Sequence, residues 1–220
     1  MYTAVGMAIR EHNNDLAKQL IQHPDCDVNA EAGDLGYPIH IAIVHQKIDI
    51  IQMLLNRNAD PNVTDDKGNS PMHKVIMIYS KNESISYNII KMLISHGAEM
   101  NIMNRQQRLP IMVAIEDKKR EAIKGILRLV VEMHKSGESA CFDINAGALS
   151  QVTSDLTNRP NVYPPIYLLL KNKIVDLAES YFMAGASVTV RNPSTLCYLP
   201  YEWKKGTYFT PRRVILKKME

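Results

Sequence analysis

A motif that recurs at a fixed spacing is the feature that most constrains this chain. Segment 37–42 reads YPIHIA and segment 70–75 reads SPMHKV. Pro38 and Pro71 stand 33 residues apart (71 − 38), and His40 and His73 share that interval. A period of this length is typical of a supersecondary unit that cannot bury its own apolar face and therefore stacks on its neighbours.

Each regular unit is predicted to hold two short helices. Pro38 suits the first turn of a helix, because the missing N–H needs no partner there, and apolar residues follow it at helical spacing. Asn58 suits the left-handed position that ends a helix. Between them, a set of apolar residues spaced i, i+1, i+4, i+5 predicts the second helix: Ile50, Ile51, Leu54 and Leu55.

These segments resemble the ankyrin repeat. Segment 38–42, PIHIA, stands in place of the family's T-P-L-H-x-A motif, and segment 58–62, NADPN, stands in place of its G-A-D-V-N. The resemblance implies an all-α solenoid of stacked helix-turn-helix units with protruding finger turns. It also implies that each motif histidine hydrogen-bonds backbone within its own turn region.

The repeat divides the whole chain into five units and a partial sixth, treated as one domain over 1–220. Terminal units of a stack have one neighbour only, so we expect the first to be degenerate, without the proline and histidine of the motif. Insertions are expected at 80–86, as a polar loop, at 132–142, where the second helix continues for a turn or two until Gly137 stops it, and at 146–162, as a long finger. The units span residues 3–29, 36–63, 69–102, 108–145, 163–190 and 198–219.

Composition and motifs favour a non-catalytic chain without cofactor or metal. Apolar residues make up 45% of the sequence and charged residues 22%, and no stretch of eighteen apolar residues predicts a membrane span. Three widely separated cysteines form no metal-ligand pair, and no phosphate loop or nucleophile elbow occurs. The N-terminus lacks the pattern of a secretory signal, which favours a cytoplasmic or nuclear location.

The C-terminal segment is basic. Residues 191–220 carry seven Lys or Arg against two Glu, a net charge of +5 (7 − 2). A solvated outer helix face accounts for this charge, and a nuclear address or an acidic partner is the alternative. A sequence pI of 8.6 with few interleaved aromatic residues argues against a nucleic-acid interface.

The resemblance implies that a protein partner binds to the concave face and to the finger loops. Positions just after the small residues of each first helix usually face partners, and here two middle units carry apolar residues there. Such a patch with a charged rim is typical of an interaction site. The alternative is that the insertion at Ser80 shifts its helix and buries Met77 and Ile78. The predicted contact residues are Val44, His45, Asp66, Lys67, Met77, Ile78, Arg105, Gln106, Arg108, Glu116 and Asp117.

Three roles remain open for such a binding module. It could act as a scaffold, inhibitor or targeting domain, or as the regulatory ankyrin domain of a larger enzyme or channel. Segment 198–201, YLPY, is similar to the last repeat of inhibitor-of-NF-κB proteins, which would imply a transcription factor as partner. The residues do not choose among these roles, because one fold serves many partners.

Overall fold

The computed structural model describes residues 3–33, 36–79 and 82–136, and scattered residues between 165 and 180. Within its long ranges the chain forms eight helices and no strand, so the all-α prediction is confirmed. Side chains of the last helix are described through Leu129 and at Glu132. The helices are α1 (Ala4–Arg10), α2 (Asn14–Gln22), α3 (Pro38–Val44), α4 (Ile48–Asn56), α5 (Pro71–Ile78), α6 (Glu83–Ser95), α7 (Pro110–Glu116) and α8 (Arg120–Ser136).

The helices form two rows. In the first row α1, α3, α5 and α7 pack side by side, and in the second row α2, α4, α6 and α8 do the same. Each helix of one row also packs on its partner of the same unit, as α3 does on α4. The shared core consists mostly of Ile, Leu and Ala from both rows, and its largest members, such as Ile43 and Leu54, are fully buried. Each unit therefore depends on its neighbours to bury its apolar faces.

The helix starts follow the sequence. Prolines 38, 71 and 110 each occupy the first position of a first-row helix, as predicted. In the first unit, which lacks the proline, Thr3 caps α1 by accepting a hydrogen bond from the N–H of Gly6 at 3.1 Å. Asn58 adopts the left-handed conformation, with φ of 59°, after the end of α4. An asparagine tolerates this backbone better than most residues do, because its short polar side chain interacts locally.

The insertion at 80–86 was expected to be a loop, and this prediction is wrong for its described part. Residues 83–86 form the first turn of α6, and the side chain of Ser86 is fully buried. Asn82 caps the helix by accepting a hydrogen bond from the N–H of Ile85 at 3.2 Å. The asparagine and the following acidic residue, Glu83, favour a helix start, and the sequence interpretation overlooked this signal.

The units beyond α8 lie mostly outside the described residues. The prediction of an extended second helix in the fourth unit agrees with α8, which runs to Ser136. The finger at 146–162, the sixth unit at 198–219 and the basic segment cannot be assessed, since they fall outside the described ranges. In the fifth unit, the described residues Leu169, Ile174, Leu177 and Ala178 are buried.

Candidate protein-binding face

Equivalent positions at the ends of the first-row helices present the predicted contact residues. Val44, Met77 and Glu116 each stand six residues after the proline of their unit. Val44 is 40% exposed, Met77 is half-buried and Glu116 is exposed. The face thus carries two accessible apolar side chains on neighbouring helices, α3 and α5, with a carboxylate on α7 beside them. We call these helix ends together with the adjacent fingers the first-row face.

Ile78 was predicted to lie on this face, and the structure corrects that prediction. Its side chain is only 6% exposed and belongs to the core. The cause is the backbone of Tyr79, which stays in the right-handed helical region with φ of −53° and ψ of −36°. At the equivalent positions Gln46 and Lys118 turn left-handed, with φ of 53° and 55°, and end their helices. The third unit therefore continues its first helix further and turns Ile78 inward, while Met77 stays accessible.

A pair of histidine rings borders Val44. His45, half-buried, packs edge-on against His12 of the preceding unit, with ring centroids 4.7 Å apart and planes at 81°. His45 was among the predicted contact residues, but His12 was not. Aligning the first unit with the second could have found His12, because it occupies the left-handed position that Gln46 occupies in the second unit.

Arg108 joins a finger to the first row. Its guanidinium donates to the Glu116 carboxylate, Nη1 to Oε2, at 2.8 Å, and also to the side-chain oxygen of Gln106. Asp117 has Lys119 nearby, with 3.7 Å between Nζ and Oδ2. Glu116 and Asp117, two of the predicted contact residues, therefore each have a basic neighbour in their own chain. The exposure of these pairs is large enough for a partner to compete for them.

Buried side chains hold the fingers in fixed shapes. Asp65, almost fully buried, accepts hydrogen bonds from the N–H groups of Lys67 at 2.9 Å and Asn69 at 2.7 Å. The ammonium of Lys74 lies 2.6 Å from the same carboxylate. Burial alone raises the pKa of Asp65, but the Lys74 and Asn69 hydrogen bonds outweigh it and leave that pKa below its usual value.

The next finger repeats this arrangement with an amide. Asn104 accepts hydrogen bonds from the N–H groups of Gln106 and Arg108, both at 3.0 Å, and donates its own N–H to Oδ1 of Asn69 at 3.1 Å. A backbone bond from Arg105 N–H to the Lys67 carbonyl, at 3.0 Å, also links the two fingers. The exposed side chains of Asp66, Lys67, Arg105 and Gln106 therefore project from a rigid support.

The motif histidines have the structural role that the resemblance implied. Nδ1 of His40 accepts from the Tyr37 N–H and Nδ1 of His73 accepts from the Ser70 N–H, both at 3.2 Å. Nε2 of His73 donates to the carbonyl of Arg108 in the next finger at 2.9 Å. Both rings are fully buried.

Burial sets the protonation of these two rings. Burial and the nearby Lys74 ammonium lower the pKa of His40 to about 4, against the opposing effect of Asp65. Burial also lowers the pKa of His73, and the hydrogen bond to the Arg108 carbonyl opposes that shift. Both histidines are therefore neutral at pH 7, and His73 connects backbone groups of two successive units.

Two further features bear on function. No group of three or more His, Cys, Asp or Glu in the described part of the chain could hold a metal ion. Among the described helices, none is both long and apolar enough to cross a membrane.

Comparison with known proteins places this fold in a family. The family model described as ankyrin repeats in three copies matches residues 2–65 and 39–136. The matched residues cover more than half of the chain and coincide with the two helix rows. The chain belongs to the ankyrin-repeat family, whose members are generally protein-interaction modules.

Several curated proteins share this segment. A transient receptor potential cation channel subfamily A member 1 homolog of Caenorhabditis elegans is 33% identical over 126 residues, which covers 49% of this chain and 10% of that protein. Rabankyrin-5 of Mus musculus is 31% identical over 141 residues, covering 58% of this chain and 12% of its own length. A putative ankyrin repeat protein of Rickettsia felis is 29% identical, with coverage of 60% and 56%. The first two matches thus span about a tenth of those proteins.

Proposed function

We propose that this chain binds a protein partner through the first-row face and performs no chemistry of its own. The observation that carries the proposal is the pair of accessible apolar side chains, Val44 and Met77, on adjacent helices beside rigid, charged fingers. A small apolar centre with a polar rim is the arrangement in which interfaces concentrate their binding energy. The fingers supply that rim through Asp66, Lys67 and Arg105.

The rigidity of the face supports this role. Hydrogen bonds of Asp65 and Asn104 fix the finger backbones before any partner arrives. A preorganised surface binds more tightly than a mobile one, because less conformational entropy is lost on association. The module could serve as a scaffold, an inhibitor or a targeting domain in the cytoplasm or nucleus.

A second candidate is a regulatory ankyrin segment of a larger protein. The observation that favours it is the similarity to a cation-channel homolog and to Rabankyrin-5, of which the matches span 10% and 12%. In that case the first-row face would bind another domain of the same protein. An inhibitor-of-NF-κB-like role stays a prediction from segment 198–201 and has no support among the described residues.

The test compares three forms of the chain. Partners captured by cross-linking from cell extract are identified and purified, and their affinities are then measured for the wild type, for Val44→Ser with Met77→Ser, and for Leu16→Ser. Leu16 is the matched control, because it is 43% exposed but lies on α2 in the second row.

We expect the double variant to bind about tenfold to a hundredfold more weakly, since two apolar contacts would be lost from the interface. The control should bind like the wild type, and all three forms should melt at similar temperatures. A double variant that melts normally and still binds with full affinity would show that the first-row face is not the interface.

A further inference from the structure

A cleft between α6 and α8, in the second row, lies outside the first-row face. It has a volume of about 470 Å³, within the range of about 300 to 1,000 Å³ that ligand pockets occupy. Tyr79 lies in the cleft, Glu83 and Tyr87 lie on its α6 side, and Glu121, Lys124 and Arg128 lie on its α8 side. The cleft is therefore large enough for one long side chain with its adjoining backbone.

The insertion in the third unit builds this cleft. The extra turn of α6 contributes Glu83, and the continued helix at the end of α5 contributes Tyr79. The ring of Tyr79 lies so close to α8 that a Cβ on Gly125 would stand 2.2 Å from its hydroxyl oxygen. Glycine in mid-helix is less favourable than alanine, and here it makes room for the tyrosine.

The hydroxyl of Tyr79 lies beside Gly125, and both residues line the cleft. Tyr79 is only 4% exposed, yet its hydroxyl forms no hydrogen bond with any described residue. Its oxygen is not one of the buried polar atoms that lack a partner in the described part of the chain, so water reaches it, and an acceptor on a ligand could replace that water. Burial first, then Glu83, Tyr87 and Glu121, raise the pKa of Tyr79, so that its hydroxyl keeps its proton and remains a donor.

The charges around Tyr79 favour a cation over an anion. Glu83 forms no ion pair with a described residue. Among the described residues Glu121 is paired only with Lys124, at 2.7 Å and with both side chains about half exposed, which makes this a weak interaction. Arg128 lowers the pKa of both Tyr79 and Tyr87, but at Tyr79 the carboxylates outweigh it. Glu83 and Glu121 therefore act on Tyr79 more strongly than Arg128 does.

We propose that this cleft is a second binding site, which accepts a lysine or arginine side chain of a partner polypeptide. The cationic group lies between Glu83 and Glu121, and the adjoining backbone carbonyl accepts a hydrogen bond from the Tyr79 hydroxyl. The rings of Tyr79 and Tyr87 contact the methylene stem, since such stems pack on apolar surface while their charged heads stay hydrated. This site is independent of the proposed role of the first-row face.

The experiment uses four small probes and amide NMR spectra of the labelled chain. The probes are the N-acetyl methylamides of lysine, arginine, norleucine and glutamate. We expect the lysine and arginine probes to shift the amide signals of Ser84, Asn88 and Gly125 in a saturable manner. Norleucine should cause little change, because it has the stem without the charge, and glutamate should cause none.

Three variants separate this site from a structural role. Glu83→Gln should weaken binding of the lysine probe by about threefold to fivefold, whereas Arg128→Gln should strengthen it, since a repulsive charge is removed. Glu116→Gln, which removes a carboxylate from the first-row face, is the matched control and should have no effect. Merely structural roles for Glu83 and Arg128 would not change affinity in opposite directions.

Three results would overturn the proposal. One is the absence of saturable shifts at the cleft with either basic probe. The second is binding of the glutamate probe as strong as that of lysine, which would make Arg128 the determinant. The third is an unchanged affinity in Glu83→Gln. None of these results bears on the first-row face, so the two proposals can fail separately.

Discussion

His40 and His73 each bind the backbone at the start of a helix, and burial keeps each ring neutral. Each ring accepts a backbone N–H on one nitrogen, and His73 passes a hydrogen bond to the next finger with the other. Both rings are therefore buried in their neutral form. A proton on either ring would place a cation in the core near Lys74.

We therefore predict acid lability between about pH 6.5 and pH 4. The folded pKa of His40 is about 4, below its ordinary 6.5, so in this window the unfolded chain binds more protons than the folded chain. Stability is then full above the upper limit and is lost as the pH falls, by up to about 3 kcal/mol for this residue. His73 acts in the same direction.

Urea unfolding of the wild type at several pH values between 7 and 4 measures this loss. His40→Gln should flatten the pH dependence, since one titrating group is removed. Asn88→Ala, at an exposed residue that does not titrate, should leave it as in the wild type. A wild-type free energy of unfolding that stays constant across the window would contradict the prediction.

Met77 and Ile78 are adjacent and similar in size, but they should respond differently to the same change. Ile78→Ser should destabilise the fold by about 2 to 5 kcal/mol, because it leaves a cavity and buries a hydroxyl in the core. Met77→Ser should cost less than about 1 kcal/mol, since that side chain is only half-buried. Chemical denaturation of the two variants makes the comparison, and equal losses would show that both residues serve the core.

At the scale of the helix, the third unit departs furthest from the regular pattern. Proline positions and apolar spacing predicted the helix starts and the core of the second unit, because both depend on local backbone preference and periodicity. The same periodicity could not place Ile78 or residues 83–86. Their positions depend on whether Tyr79 turns left-handed, and its right-handed backbone goes together with packing of its ring on Gly125, a contact distant in sequence.

This contact gives a test at the level of α8. Gly125→Ala should destabilise the chain by about 1 to 3 kcal/mol, because the new methyl group overlaps the Tyr79 hydroxyl. Combined with Tyr79→Phe, the same substitution should cost much less, since the hydroxyl is gone and alanine is the better helix former. A double-mutant cycle in urea measures the coupling. Additive effects would mean that the two groups do not meet.

At the scale of the whole molecule, asparagine side chains join consecutive units. Asn29 donates to the carbonyl of Asn58 at 3.1 Å and accepts from the N–H of Asp60 at 2.8 Å. Asn62 repeats this one unit later, with the carbonyl of Gly97 at 3.0 Å and the N–H of Glu99 at 2.8 Å. In a stack whose units contact only their neighbours, such links contribute to cooperative unfolding.

Asn62→Ala should remove both links between the second and third units. We expect a loss of about 1 to 3 kcal/mol, because the Glu99 N–H and the Gly97 carbonyl lose their partner. Hydrogen exchange should then proceed at different rates in α1 to α4 and in α5 to α8. In the wild type the two halves should be protected to a similar degree. Asn88→Ala, at an exposed asparagine on α6, is the control. Uniform protection in both variants would contradict the prediction.

The asparagine links also keep the same geometry although the third unit is six residues longer than the second. Asn62 and Asn101 stand 39 residues apart (101 − 62) instead of 33, yet Asn62 reaches Gly97 and Glu99 as Asn29 reaches Asn58 and Asp60. The described part of the insertion lies at the end of α5 and in the first turn of α6, and the links to the following finger keep their geometry. Each unit is thus positioned by its asparagine links and not by the length of the connection before it. A longer connection between α5 and α6, for example one that carries a tag or a sensor, should therefore leave the units on either side in place.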